Sequence, residues 1–274
     1  MKGNQPPTDN FLAPPAMITV RDNDTSVVHN RHASEMHTGA RCASSKRMTS
    51  KKRVAILISG RGSNMQALVH AMQAPDFPAE TAVVISNRPE ALGHSWAQDH
   101  GIPAVAIDHR AFATRVAFEA RLHQTLLEHG TDLICNAGFM RLLTGGFVDR
   151  WKDRHLNIHP SLLPAFPGLD THQRVLDSGA LVTGCTVHFV RLEMDSGPII
   201  AQAVVGVIPG EPVEAIAARV LEAEHQLYPM ALRLVASGQI RISNETAHFP
   251  PGLSLPAPVL APRYLGHPGS EPRR

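Results

Sequence analysis

From residue 54 to residue 137, short apolar runs alternate with longer segments in which apolar positions recur three or four apart. Val54 to Ser59 is the first run; a glycine turn follows, then Met65, Leu68, Val69 and Met72 at helical spacing. Thr81 to Ser86 predicts a second buried strand, 91–100 a helix, 104–107 a third strand, 115–129 a helix ending near Gly130, and Leu133 to Ala137 a fourth strand. Strands alternating with helices imply a parallel sheet covered on both faces. The rhythm then changes. Gly184 to Val190 and Pro198 to Val205 read as two strands joined by a short loop, and a long helix follows with Val213, Ile216, Ala217, Val220 and Leu221 on one face. The whole predicts an α/β fold: a mostly parallel, Rossmann-like sheet with helices on both faces and an antiparallel C-terminal meander.

The ends lack this patterning. Residues 1–50 are rich in Pro, Ser, Thr, Asn, His and basic residues, without apolar periodicity, and read as a disordered extension. The scarcity of acids there fits a transit peptide, whereas a secretory signal would need an apolar core that is missing; Met48, just ahead of the first strand, is an alternative start. One domain is expected over 51–245, followed by a Pro-rich tail over 246–274. The net charge of +2 gives no footprint for nucleic acid, and no apolar stretch is long enough to span a bilayer. The three cysteines are odd in number and form no CxxC, which argues against a disulfide framework or zinc site and fits a soluble, cytoplasmic protein.

Candidate chemistry begins at Ile58-Ser59-Gly60-Arg61-Gly62-Ser63-Asn64, between a strand and a helix. Glycines allow a sharp turn and close approach to a ligand, and free N–H groups at a helix start suit a phosphate. Position 65 is Met where a dinucleotide fingerprint has its third glycine, and the Walker lysine is absent, so a monophosphate cradle is favoured. An ordinary strand-to-helix turn capped by Ser63 or Asn64 is the plainer alternative. Further on, alternation places Asn157 and His159 on one side of the extended stretch Asn157-Ile158-His159-Pro160-Ser161-Leu162-Leu163-Pro164. Asp195, in the loop between the two later strands, could orient His159 and stabilise positive charge on it. Taken singly, each also reads as a turn former or a satisfied core residue. Glu224 falls on the apolar face of the last helix, where a carboxylate needs a partner: a substrate group, or a cation such as Arg219.

The stretch Asn157–Pro164, followed by Pro167-Gly168, resembles the signature of the folate-dependent formyltransferases. The glycine loop at 58–64, Ala137-Gly138-Phe139-Met140-Arg141, Thr183–Val190, Asp195–Ile200, Glu224-His225 and Tyr228-Pro229 resemble the branch of that family that acts on glycinamide ribonucleotide. The likeness runs from about Arg53 to Asn244. It implies formyl transfer from 10-formyltetrahydrofolate, as co-substrate, to the amine of glycinamide ribonucleotide in purine synthesis. Asn157, His159 and Asp195 match the catalytic trio; Gly62, Ser63, Asn64 and Glu224 match contacts to the nucleotide. Arg115, Met140, Arg141, Leu142, Leu143 and Asn157 match folate contacts, and the loop from Arg191 to Asp195 is expected to close around the pterin. Asp170 is a departure, at a place where relatives often carry other polar residues. The implied partners are the two small molecules, without metal, membrane or nucleic acid, and with a homodimer left open.

Other readings predict features that the chain lacks. A tRNA-directed relative carries a further C-terminal domain, and a formyl-folate hydrolase carries an N-terminal regulatory one, for which residues 1–50 are too polar. A nicotinamide enzyme needs an acid near the end of the second strand, which instead reads Ile85-Ser86-Asn87-Arg88. A catalytically silent binding protein has no need to keep Asn157, His159 and Asp195 together.

Overall fold

A computed structural model of the protein describes residues 50–252, so the reading of 1–49 and of the tail beyond 252 lies outside the described residues. Seven strands form one sheet: β1 (Lys52–Ile58), β2 (Ala79–Ser86), β3 (Ala104–Ala106), β4 (Leu133–Asn136), β5 (His155–His159), β6 (Val182–Phe189) and β7 (Ile199–Gly206). Their order is β3-β2-β1-β4-β5-β6-β7. Pairings from β3 through β5 are parallel, and those of β6 with β5 and with β7 are antiparallel.

Alternation along the strands feeds two cores. Val54, Ile56 and Ile58 of β1 point to a large core with helix α1 (Ser63–Met72), α2 (Leu92–Asp99), α5 (Thr171–Asp177) and α6 (Val213–Ala236). Ala55 and Leu57 point the other way, to a core with α3 (Arg115–Glu128) and α4 (Gly145–Arg150). Both faces of the sheet are therefore covered, as the near-continuous apolar strands require.

Two features lie outside the elements predicted from the sequence. The short helices α4 and α5 carry too few turns to show a periodicity and are not among the elements predicted. The tail boundary at residue 246 cuts a β-hairpin, β8 (Arg241–Ser243) with β9 (Thr246–His248), whose turn residues Asn244 and Glu245 both have positive φ. Pairing across that turn satisfies the backbone there, so ordered chain continues past the expected end.

Candidate functional site

The strand order reverses direction between β1 and β4, and in open α/β sheets the crevice beyond the strand ends at such a point is where ligands bind. The loop after β1 carries the glycine turn, and the loop after β4 carries Met140 to Leu143. Gly62 is the N-cap of α1 with φ 76, a left-handed conformation that a side chain resists. No side chain caps this helix, so the capped-turn alternative for Ser63 or Asn64 does not hold. The first-turn N–H groups of α1 therefore remain for a ligand, with the positive end of the helix dipole behind them.

Asn64 turns inward instead. Its Nδ2 donates to Oε2 of Glu224 at 2.7 Å, across 160 residues of chain, while its buried Oδ1 has no hydrogen-bond partner among the described residues. Glu224 is only 6% exposed, and burial pushes its carboxyl up to about 7, with the Asn64 bond opposing the shift. Arg219, the cation considered as a partner in the sequence, pairs with Glu211 at 2.6 Å and leaves Glu224 to Asn64. An inward-facing carboxylate and an unsatisfied amide oxygen beside a helix N-terminus form a polar pocket wall suited to amine or hydroxyl donors.

The second group gathers on β5 and its neighbours. Asn157 and His159 are two apart on the strand and share a face, as alternation predicts. His159 Nε2 donates to the carbonyl of Phe166 at 3.0 Å, and its Nδ1 lies 3.4 Å from Asp195 Oδ2. Asp195 is held by the Gly168 N–H, which donates to Oδ2 at 2.8 Å. The backbone around it is tense: Phe166, Asp170 and Asp195 all have φ 54, a conformation that non-glycine residues keep only where their surroundings dictate it. The loop that presents Asp195 closes at Gly197, where an added Cβ would stand 1.8 Å from the Phe189 carbonyl oxygen.

His188 is a member the sequence reading passed over. In the β5–β6 register it stands opposite Asn157, whose Nδ2 lies 3.2 Å from His188 Nε2. Its Nδ1 donates to the Phe189 carbonyl at 3.1 Å, and Nε2 also lies 3.7 Å from Asp195 Oδ1. Burial holds its pKa below the usual histidine value, so at neutral pH its Nε2 accepts from Asn157 and fixes which way that amide faces. The signal was an isolated histidine in an apolar strand, informative only once the register is known.

The structure thus brings together Asn157, His159 and Asp195, and separately Gly62, Asn64 and Glu224; Ser63 is the first residue of α1. Met140 and Leu142 are exposed, Arg141 and Leu143 half-buried, and the apolar Leu192 and Met194 of the Asp195 loop are exposed too. Arg115 opens α3 with its side chain in solvent and makes no hydrogen bond to these residues. No nucleophile is primed here. The Ser161 hydroxyl donates to the carbonyls of Ala165 and Phe166, and burial pushes the thiols of Cys135 and Cys185 up to about 12. Among the described residues no cluster of His, Cys, Asp and Glu could hold a metal ion, and no helix is long and apolar enough to cross a membrane.

Fold and site define a group-transfer scaffold, and its family can be stated: a family model described as formyl transferase matches residues 52–232, and the chain belongs to that family. Within it, the chain is 38% identical over 205 residues to the phosphoribosylglycinamide formyltransferase of Haemophilus influenzae, covering 75% of this chain and 96% of that protein. It is 49% identical over 192 residues to the trifunctional purine biosynthetic protein adenosine-3 of Bos taurus, covering 70% of this chain but only 19% of that longer protein. The crystal structure of glycinamide ribonucleotide transformylase 1 from Symbiobacterium toebii superposes with a TM-score of 0.71 at 44% identity, covering 73% of this chain and 94% of that one.

Proposed function

We propose that this chain transfers the formyl group of 10-formyltetrahydrofolate to the amine of glycinamide ribonucleotide, a step of purine synthesis. The observation that carries the reading is the cluster of Asn157, His159 and Asp195 at the carboxyl end of β5, the same end of the parallel strands at which β1 leads to an uncapped helix N-terminus flanked by Glu224. The names of the relatives support the same acceptor.

In this reading the phosphate rests on the N–H groups at Gly62–Asn64, and Glu224 accepts a hydrogen bond from the nucleotide. Met140, Leu142, Leu192 and Met194 offer apolar surface to the folate, with Arg115 at the outer edge. The neutral amine attacks the formyl carbon. A carbon–nitrogen bond forms, the carbonyl oxygen takes the negative charge, and the bond to the folate nitrogen then breaks as the proton passes from the attacking amine to that leaving nitrogen. Asn157 has a second amide hydrogen, beyond the one shared with His188, to give to the oxyanion. His159 is engaged at both ring nitrogens, so to donate to the oxyanion it must release the Phe166 carbonyl as substrate enters. Asp195 faces the His159 ring, balances positive charge there and orders the water that relays the proton. With no primed serine or thiol nearby, transfer is direct. A reducing, cytoplasmic setting fits the free, buried Cys135 and Cys185.

The test is to follow tetrahydrofolate formation from 10-formyltetrahydrofolate by absorbance, with and without glycinamide ribonucleotide. Product dependent on the nucleotide is expected. Product formed equally fast without it would make the chain a formyl-folate hydrolase and sink the proposal.

A further inference from the structure

Ser59 is the last residue before the glycine turn, and nothing in the mechanism above uses it. Its side chain is buried, yet fully engaged: the hydroxyl donates to Asn87 Oδ1 at 2.6 Å and accepts from the backbone N–H of Met140 at 2.8 Å. The second bond joins positions 81 residues apart. Its place in the ladder explains the need for it. The β1–β4 pairing ends where the Ala137 N–H donates to the Leu57 carbonyl at 2.8 Å, and the chain then turns at Gly138. Past that point no strand partner remains for Met140, and a partly buried amide left without an acceptor is costly. Ser59 supplies the acceptor from a side chain. Asn87, which takes the hydroxyl proton, stands just past β2, its own N–H 3.4 Å from the Ile58 carbonyl. The hydroxyl thus links the ends of three strands: β1, which leads into the phosphate loop, β2, and β4, which leads into the segment from Met140 to Leu143.

On this basis, and resting on the function proposed above, we propose that Ser59 is a positioning residue: its hydroxyl pins Met140, and with it the folate-facing segment, at a fixed place relative to the phosphate loop. It touches neither substrate. A serine is suited to the role because one oxygen both donates and accepts within a buried space. Alanine there would leave the Met140 N–H and Asn87 Oδ1 unpaired without opening a large cavity. The segment would then sample other positions, while the backbone turn at Gly62 would stay.

The experiment compares wild type, Ser59→Ala and Ser59→Thr by three readouts: hydrogen exchange of the Met140 amide, tetrahydrofolate binding by titration calorimetry, and steady-state kinetics. Thermal melting checks that each variant is folded. For Ser59→Ala we expect Met140 exchange to speed by at least about tenfold, folate affinity and folate KM to worsen by about five- to thirtyfold, and nucleotide KM to move less than about threefold. Ser59→Thr, which keeps the hydroxyl, should restore slow exchange and most of the folate affinity. Unchanged Met140 exchange in folded Ser59→Ala overturns the proposal, as does an equal loss in the alanine and threonine variants, which would mean packing rather than the hydrogen bond. A nucleotide KM that worsens as much as the folate KM overturns the assignment to the folate side. Wild type that binds no tetrahydrofolate overturns the proposed function and the positioning role with it, an outcome distinct from unchanged exchange.

Discussion

In the N-terminal half of the sheet the candidate site is made of backbone: a left-handed glycine at 62 and the free N–H groups of α1, set where a parallel strand delivers them. In the C-terminal half it is made of side chains: Asn157, His159, His188 and Asp195, packed within 3.0–3.7 Å of their partners on an antiparallel meander and its loops. A backbone cradle tolerates change in most side chains around it, because its donors belong to every residue type. A side-chain cluster depends on each member's identity and on the loops that aim it. Binding of the phosphate should therefore survive substitutions that stop the chemistry.

The widest separation of the two halves should come from the cluster itself. Asn157→Ala and Asp195→Asn are each expected to lower kcat by roughly a hundred- to a thousandfold, the usual loss for a transition-state donor or its aligned partner. Nucleotide KM should move less than about threefold. Steady-state kinetics with both substrates varied decides it, and near-normal turnover in either variant would remove that residue from the chemistry.

Next come the two glycines that shape the loops. Gly197→Ala forces a Cβ to within 1.8 Å of the Phe189 carbonyl oxygen, and that oxygen belongs to backbone which cannot swing aside. A loss of about 3 kcal/mol in unfolding free energy is expected, together with a fall in kcat because Asp195 is carried by the displaced loop. Gly62→Ala is the milder change. It places alanine at φ 76, a cost of about 1–2 kcal/mol, and meets the Gly93 Cα at 3.1 Å, so nucleotide KM should rise while kcat holds. Urea denaturation and kinetics on the pair test whether each glycine serves its own half.

The halves also differ in how pH acts on them. Glu224, bonded to Asn64 in the first turn of α1, has its carboxyl raised from 4.5 to about 7 by burial. The folded state then holds a proton that the unfolded chain releases, so this group's contribution to stability is present below about 4.5 and lost as pH rises through about 7. His155, under the side-chain cluster, is lowered from 6.5 to about 3 by burial and by the nearby His188. Here the unfolded chain binds the proton first, so stability falls as pH drops below 6.5 towards 3. Glu224→Gln should stabilise the protein at pH 8 by roughly 1–3 kcal/mol relative to its effect at pH 5. His155→Gln, which can still donate to the Asn136 side chain, should flatten the acid limb. Denaturation curves across the range give both slopes, and parallel curves for wild type and variants would refute the assignment.

How much of this was legible in the sequence follows the same division. The parallel half announces itself through apolar runs such as Val54–Ser59 and through Gly60 and Gly62, since local backbone demands leave local residue signals. Asn157 and His159 were legible as a facing pair because strand alternation is also local. The meeting of His159 with Asp195, of Asn64 with Glu224, and of Ser59 with Met140 depends on chain crossings that no spacing encodes. His188 was hidden because its partner is set by antiparallel register. The β8–β9 hairpin was hidden by its polar turn and by the prolines beyond it, which pull the reading towards a loose tail.

The smallest expected effect concerns that hairpin. Glu245 at its turn reaches Arg191, the first residue of the loop leading to Asp195, at 2.5 Å, and Lys152 at 3.0 Å; Arg191 also takes Asp153 at 2.6 Å. This network joins the hairpin to the loop that carries Asp195. Glu245 is more than half exposed, however, and exposed ion pairs contribute little, typically less than about 1 kcal/mol and less still as salt screens them. Arg191 keeps Asp153 when Glu245 is lost, and the loop's closure at Gly197 rests on backbone contact that charge does not touch. Glu245→Gln should therefore change stability little, leave kcat within about twofold, and differ from wild type less at high salt than at low. A kcat loss approaching that of Asp195→Asn would show instead that the loop is aimed from the hairpin, and the side-chain half of the site would then extend to β8 and β9.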